Sequence, residues 1–315
     1  MDKKIITRIS NEIGNQLFMY ASTFAIARKL NRKLIIDNES AFKSRKNISS
    51  YALHNFNVSS KIAEHKFKYL GLKGYLKRKL LKKIDFFKTY KVFYLEEKDY
   101  MKITKYQNDF FNNKMSDILF MEGYFETEKY FNDIKEEILN EFKFKNAYTY
   151  VKSSFYPKLN IKNSVSICLR QNRFLEGKNK KNDTDNYFKS ENFNSEQISY
   201  INQCIDFFVS KLDSPSFFLW SNNTKNIDKN QFNTKINIVD HNENFLKNID
   251  KRALDLFLIS QCNHHIVVPS SFNWWGAWLS QKKDKIICRP SNDFFSNFRL
   301  NNLDFWPDDW IEIKR

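Results

Sequence analysis

Residues 253–280 read ALDLFLISQCNHHIVVPSSFNWWGAWLS, three elements in quick succession. Apolar side chains at Leu254, Phe257, Leu258 and Cys262 recur at helical spacing and predict an amphipathic helix over 251–261. The run His265-Ile266-Val267-Val268 is short, β-branched and stopped by Pro269, as suits a buried parallel strand. Ser270-Ser271 then open a second helical pattern through Trp274, Trp275, Ala277, Trp278 and Leu279.

The serine pair stands where a strand ends and a helix begins. The first turn of a helix leaves backbone N–H groups without partners, and the aligned peptide dipoles make that end positive. Hydroxyls placed there either cap the helix or help to bind an anion such as a phosphate. In the plainer alternative they only cap a helix whose tryptophans fill the core.

Working outward, the pattern of strand followed by helix repeats. Residues 4–9 read as a strand, Asn11 to Gln16 as a loop, 17–30 as a helix and 33–37 as a second strand. This opening predicts a Rossmann-like half with a parallel sheet. Gly14 permits close backbone approach in the loop, and Asn15 and Gln16 offer amides beside a helix N-terminus. Residues 119–131 read as a strand end turning into a helix, with Thr127 as a cap. From about 156 the alternation resumes, with strands at 165–169, 217–220, 236–239 and 285–288 and an amphipathic helix at 196–212. A polar stretch, KNKKNDTD over 178–185, reads as a mobile loop. The expectation is two α/β domains, 1–155 and 156–315.

Composition narrows the class without choosing a function. Of 315 residues, 42% are hydrophobic and 17% aromatic, enough for two real cores. Fifty-two basic against 36 acidic residues give a net charge of +16, a field that attracts polyanions of any kind. The four cysteines are far apart with no metal-binding spacing, and the chain opens straight into a strand pattern. No apolar run approaches the roughly 18 residues that span a bilayer. A reduced, cytoplasmic setting is expected, with peripheral contact at the inner membrane face left open.

The most basic stretch, 66–91, holds Leu72, Leu76, Leu80 and Ile84 at helical spacing among Lys77, Arg78, Lys79, Lys82 and Lys83. It reads either as a solvated helix or as an interfacial one held by anionic headgroups, each basic residue there contributing about 1 kcal/mol. Nucleic acid is a further polyanion, but no nucleic-acid module is recognisable.

The run carried by Asp255, Leu256, Leu258, Ser260, Cys262, His264 and Ile266, and then by Ser270, Ser271, Phe272, Trp274, Trp275, Gly276, Ala277, Trp278 and Leu279, resembles the hallmark block of the bacterial α-1,2-fucosyltransferases, glycosyltransferase family 11. Pro269 stands where that family usually has Asn. Residues 14–21, GNQLFMYA, resemble its N-terminal segment, with Asn11 and Glu12 in place of the usual glycine pair. Gly123 to Phe131 resembles its G-Y-[FW]-Q-S-E-K-Y-F stretch, with Glu126 for Gln, and 306–313 resembles its ending. The resemblance implies a GT-B fold, two Rossmann-like domains facing a cleft, with the acceptor on the N-terminal half and the nucleotide sugar on the C-terminal half. It further implies inverting transfer of L-fucose from GDP-fucose to a galactose 2-hydroxyl in a bacterial surface polysaccharide such as O-antigen or capsule. A lipid-linked glycan acceptor would make membrane contact useful.

A departing diphosphate needs fixed positive charge, and Arg170 stands where a C-domain strand ends, at the edge where open parallel sheets bind ligands. A guanidinium can hold two phosphate oxygens at once. In the family pattern H-x-R-R-G-D-Y the first arginine, implied to contact the β-phosphate, is Arg170. The next positions here are Gln171, Asn172 and Arg173, and Arg173 restores a positive charge. Likewise F-S-D-D is Trp220-Ser221-Asn222-Asn223. The resemblance thus points to Gly14, Asn15, Gln16, Arg170, Arg173, Ser221, Asn222, Asp255, Ser270, Ser271 and Phe272 as donor-side residues. A base for the acceptor hydroxyl is sought in Glu176 or Glu12, since the family aspartate is absent. No DxD-like motif stands at a strand end, in keeping with a metal-independent reaction and no cofactor. The altered motifs keep two other readings open: another GDP-6-deoxy sugar as donor, and a non-catalytic, basic membrane- or nucleic-acid-binding protein on a decayed scaffold.

Overall fold

The computed structural model describes residues 3–42, 49–83, 92–97, 104–112, 117–175, 184–241, 248–295 and 303–315. The chain divides into two units, 1–145 with 301–307 and 146–300 with 308–315.

In the first unit the apolar run KIITR forms β1 (Lys4–Arg8), followed by α1 (Ile13–Lys29) and β2 (Lys33–Asp37). α1 starts at Ile13, not Leu17, so the glycine-containing segment is the helix's first turn instead of a loop before it. Thirteen of its 17 residues are buried, which its all-round apolar sequence permits. There follow β3 (Lys61–Ile62), α2 (Gly71–Lys83), β4 (Val92–Glu96), β5 (Ile118–Glu122) and α3 (Lys135–Glu141). The five strands are parallel in the order β3-β2-β1-β5-β4. Ile84, expected to continue the helix of α2, lies outside the described residues.

The second unit opens with two short helices, α4 (Ala147–Tyr150) and α5 (Tyr156–Leu159). Then come β6 (Ser164–Leu169), buried along its whole length, α6 (Thr184–Lys211), β7 (Ser216–Ser221) and β8 (Ile236–Ile238). α6 is 28 residues long, so Thr184 and Asp185 of the expected polar loop are helical; 178–183 lie outside the described residues. Its buried side chains Phe193, Gln197, Tyr200, Ile201, Cys204, Ile205 and Phe208 follow one stripe at three- and four-residue spacing. The opening stretch becomes α7 (Lys251–Gln261), β9 (His264–Ile266) and α8 (Ser271–Trp278), and β10 (Ile287–Pro290) and β11 (Ile311–Ile313) complete the sheet.

This six-stranded sheet is parallel in the order β11-β10-β9-β6-β7-β8. Counted from β6, that is the 3-2-1-4-5-6 order of dinucleotide-binding folds, whose direction reverses between β6 and β9. In the first sheet the chain also starts at the centre and runs outward through β2 and β3, but it then crosses to the far edge strand β4 and returns inward to β5 beside β1.

Both strand histidines are structural. His265 is fully buried with Nδ1 2.8 Å from Ser166 Oγ, and burial pushes its pKa well down. His264 Nδ1 accepts from the Ile286 N–H at 3.1 Å. All four cysteines are buried and free.

α7 and α8 pack tightly at Gly276, where an added Cβ would lie 2.5 Å from Ile259 Cγ2. Isoleucine is branched at Cβ and cannot swing that methyl away. Gly276→Ala is expected to destabilise the chain by about 1–3 kcal/mol, read as a lower denaturant midpoint at unchanged m-value.

Candidate active site

Ligands of open parallel sheets bind beyond the strands' carboxyl ends, where the strand order reverses. In the second unit that place is the pair of segments after β6 and β9, which are residues 170–175 and 267–272.

Past β6 the backbone is held by side-chain amides. Buried Gln197 of α6 accepts the Arg170 N–H at 3.0 Å and donates to the Arg170 carbonyl at 2.9 Å. Asn222, just past β7, does the same for Gln171, at 2.8 and 2.9 Å. Asn172 then turns the chain with φ +56°, and Phe174 N–H donates to Ser190 Oγ.

The Arg173 guanidinium lies over the Phe193 ring at 5.0 Å and donates from Nη1 to the Pro269 carbonyl at 2.8 Å. One side chain thus ties the segment after β6 to the segment after β9. Pro269 leads into Ser270, the extended N-cap of α8, whose hydroxyl makes no cap hydrogen bond. Ser270, Ser271 and Phe272 are half-buried, as is Arg170. The structure therefore brings Arg170, Arg173, Ser270, Ser271 and Phe272 to one edge. Two guanidinium groups and a positive helix mouth there suit a diphosphate.

The other donor-side candidates of this unit serve it differently. Ser221 Oγ accepts the Asn223 N–H at 3.2 Å and shapes the turn after β7. Asn222, a donor-side candidate, holds the Gln171 backbone through its amide. Asp255 Oδ1 lies 2.7 Å from His241 Nε2. Burial raises the Asp255 carboxyl above the usual aspartate range, against the pull of His241 and Lys251. His241, a buried residue just past β8, had no sequence pattern to single it out.

In the first unit the corresponding edge follows β1 and β5. Asn15 Nδ2 donates to Glu126 Oε1 at 2.8 Å and joins the two segments. Glu12 is the exposed N-cap of α1, and its side chain makes no cap bond. Gly14 is buried in the first turn. Gln16 is fully buried, donates to the carbonyls of Asn11 and Ser50 and accepts the Ala52 N–H. It staples the loop and has no amide hydrogen left for a ligand. Glu176 lies outside the described residues.

A further carboxylate governs the segment after β5. Buried Glu97 accepts the N–H groups of Tyr124 and Phe125 on Oε2, at 2.7 and 2.8 Å. These bonds, with Ser22 Oγ donating to the Phe125 carbonyl, hold Phe125 at φ +53°, a strained setting for an aromatic residue. A Cβ at Gly123 would lie 2.5 Å from Glu97 Cβ, so only glycine admits this carboxylate. Burial lifts the Glu97 pKa to about 7, although both backbone bonds work to lower it.

Two parallel α/β units of this kind are the GT-B architecture of nucleotide-sugar-dependent glycosyltransferases. A family model described as glycosyl transferase family 11 matches residues 2–314, and the chain belongs to that family. It is 24% identical over 322 residues to the O-antigen biosynthesis glycosyltransferase WbnK of Escherichia coli, covering 97% of this chain and 99% of that one. It is 23% identical over 311 residues to an alpha-1,2-colitosyltransferase of Escherichia coli, covering 99% of each. Among solved structures, a mutant of Arabidopsis thaliana FUT1 in complex with GDP aligns at a TM-score of 0.54 and 14% identity, over 98% of this chain and 75% of that one.

A carboxyl raised from 4.5 to about 7 gives folding a definite pH dependence. Below pH 4.5 it is protonated in folded and unfolded chains alike. As pH rises toward 7 the unfolded chain loses its proton first, so stability falls across that window by on the order of 3 kcal/mol. Glu97→Gln keeps an acceptor for both N–H groups, and melting temperatures from acid to neutral pH are expected to fall less steeply than in the parent.

Proposed function

We propose that the protein is an inverting α-1,2-fucosyltransferase using GDP-L-fucose and building a bacterial surface polysaccharide. The observation that carries this is the grouping of Arg170, Arg173 and the mouth of α8 at the reversal between β6 and β9. The GDP named for the Arabidopsis protein and the O-antigen role named for WbnK support it.

In this reading the second unit holds the donor and the first takes a galactose-containing, lipid-linked acceptor. The acceptor oxygen attacks C1 of the sugar, the bond from C1 to the β-phosphate oxygen breaks, and GDP leaves with the electron pair. Arg170 and the N–H groups of α8 stabilise the charge that develops on the diphosphate, a task that needs no metal ion. The acceptor's proton passes to a carboxylate, with Glu12 and Glu176 as candidates. A different GDP-6-deoxy sugar is the second reading, favoured by the colitosyltransferase relative and by Gln171, Asn172 and Arg173 in place of the family's residues.

The test is a panel of GDP-, UDP- and dTDP-sugars supplied with a soluble galactoside. A GDP-linked deoxy sugar is expected to be consumed, at a rate unchanged by a chelator. Arg170→Ala should lower kcat/KM about a hundredfold or more at an unchanged melting temperature. Undiminished turnover would remove Arg170 from the mechanism, and preference for a UDP-sugar would overturn the reading. Glu12→Gln and Glu176→Gln in the same assay identify the base by a drop in kcat.

A further inference from the structure

α2 is mounted with three of its four leucines outward. Leu72, Tyr75, Leu76 and Leu80 are 74%, 51%, 54% and 50% exposed. Positions 72, 76 and 80 are four apart and form one line along a helix about 20 Å long. An ordinary surface helix turns such a line toward the core.

The opposite face explains why this one does not. Glu122, the last residue of β5, takes an ion pair from Arg78, another from Arg8 at 3.1 Å, and Lys82 at 3.5 Å. Burial works to raise that carboxyl, and the three cations outweigh it and hold its pKa low. Leu81 packs on the cluster of Ile6, Tyr69 and Phe120. At Gly74 the Tyr69 backbone comes so close that a Cβ would lie 2.3 Å from it. Gly74, Arg78, Leu81 and Lys82 thus fix the helix's rotation, and Leu72, Leu76 and Leu80 face away.

Charge says what covers the leucines. Residues 71–83, GLKGYLKRKLLKK, hold six basic residues and no acidic one, and Lys73, Lys77 and Lys79 are exposed beside the apolar line. A second copy would set this surface, on a chain of net charge +16, against its like. A nucleic acid would meet the lysines and leave the leucines in water. An anionic bilayer satisfies both, with acyl chains for the leucines and headgroups for the lysines. We infer that the outward face of α2 is a docking surface for an anionic lipid membrane. Each lysine near such a surface strengthens binding about fivefold. This inference stands apart from the identity of the sugar donor.

Co-sedimentation of the full chain with phosphatidylcholine vesicles, with and without phosphatidylglycerol, tests it. Binding is expected only to the anionic vesicles and should weaken as salt rises. Leu72→Ser, Leu76→Ser and Leu80→Ser combined should lower that affinity about tenfold or more. Lys73→Glu, Lys77→Glu and Lys79→Glu combined should lower it about a hundredfold. The substituted side chains are exposed, so both variants should keep the parent's melting temperature and its turnover of a soluble acceptor. Absence of parent binding to anionic vesicles overturns the inference, as do variants that bind like the parent. Leucine-dependent self-association in sedimentation velocity, without vesicle binding, would assign the face to a second copy instead.

Discussion

Beyond Leu169 the chain leaves the sheet, yet both backbone groups of the next two residues remain bonded. Gln197 serves Arg170 and Asn222 serves Gln171, each giving one hydrogen and taking another. A primary amide can do both through its two adjacent polar atoms, whereas a carboxylate only accepts and an ammonium only donates. These two clamps set where the guanidinium of Arg170 starts, and a phosphate contact demands such placement. They also account for a departure from the family pattern. An aspartate at position 222 could accept the Gln171 N–H but could not donate to its carbonyl; asparagine does both.

Two further departures turn out to be conservative in backbone terms. Asn11 and Asn172 stand where the family pattern has glycine, and both adopt the left-handed region, with φ of 63° and 56°. Asparagine is the residue that best tolerates that region after glycine. At both positions this chain has the backbone conformation that glycine adopts most readily.

The alternation of apolar runs and helical stripes was enough to read two parallel α/β units and the edge carrying Arg170 and Ser270. It was enough because strand ends and helix starts are local features, written in a few adjacent residues. What escaped depends on distant pairing. Glu97 and Tyr124 are separated by a strand and a crossing, and Glu97 looks like any surface glutamate beside Glu96 until burial is known. His241 and Asp255 meet only after β8 and α7 have folded. Gln197 did leave a trace, a polar residue inside the buried stripe of α6. The outward turn of α2 could not be read from leucine spacing, since spacing defines a face and only its anchors decide where that face points.

α8 is held in place by aromatic rings. Trp274, Trp275 and Trp278 pack on one another at 4.9–5.9 Å between centroids, and Trp310 joins Trp274 at 5.5 Å. Four of the chain's six indoles thus gather on or against one eight-residue helix. The strand-to-helix turn at Pro269–Ser271 thus leads into a packed aromatic cluster, an unlabelled optical probe within the second unit.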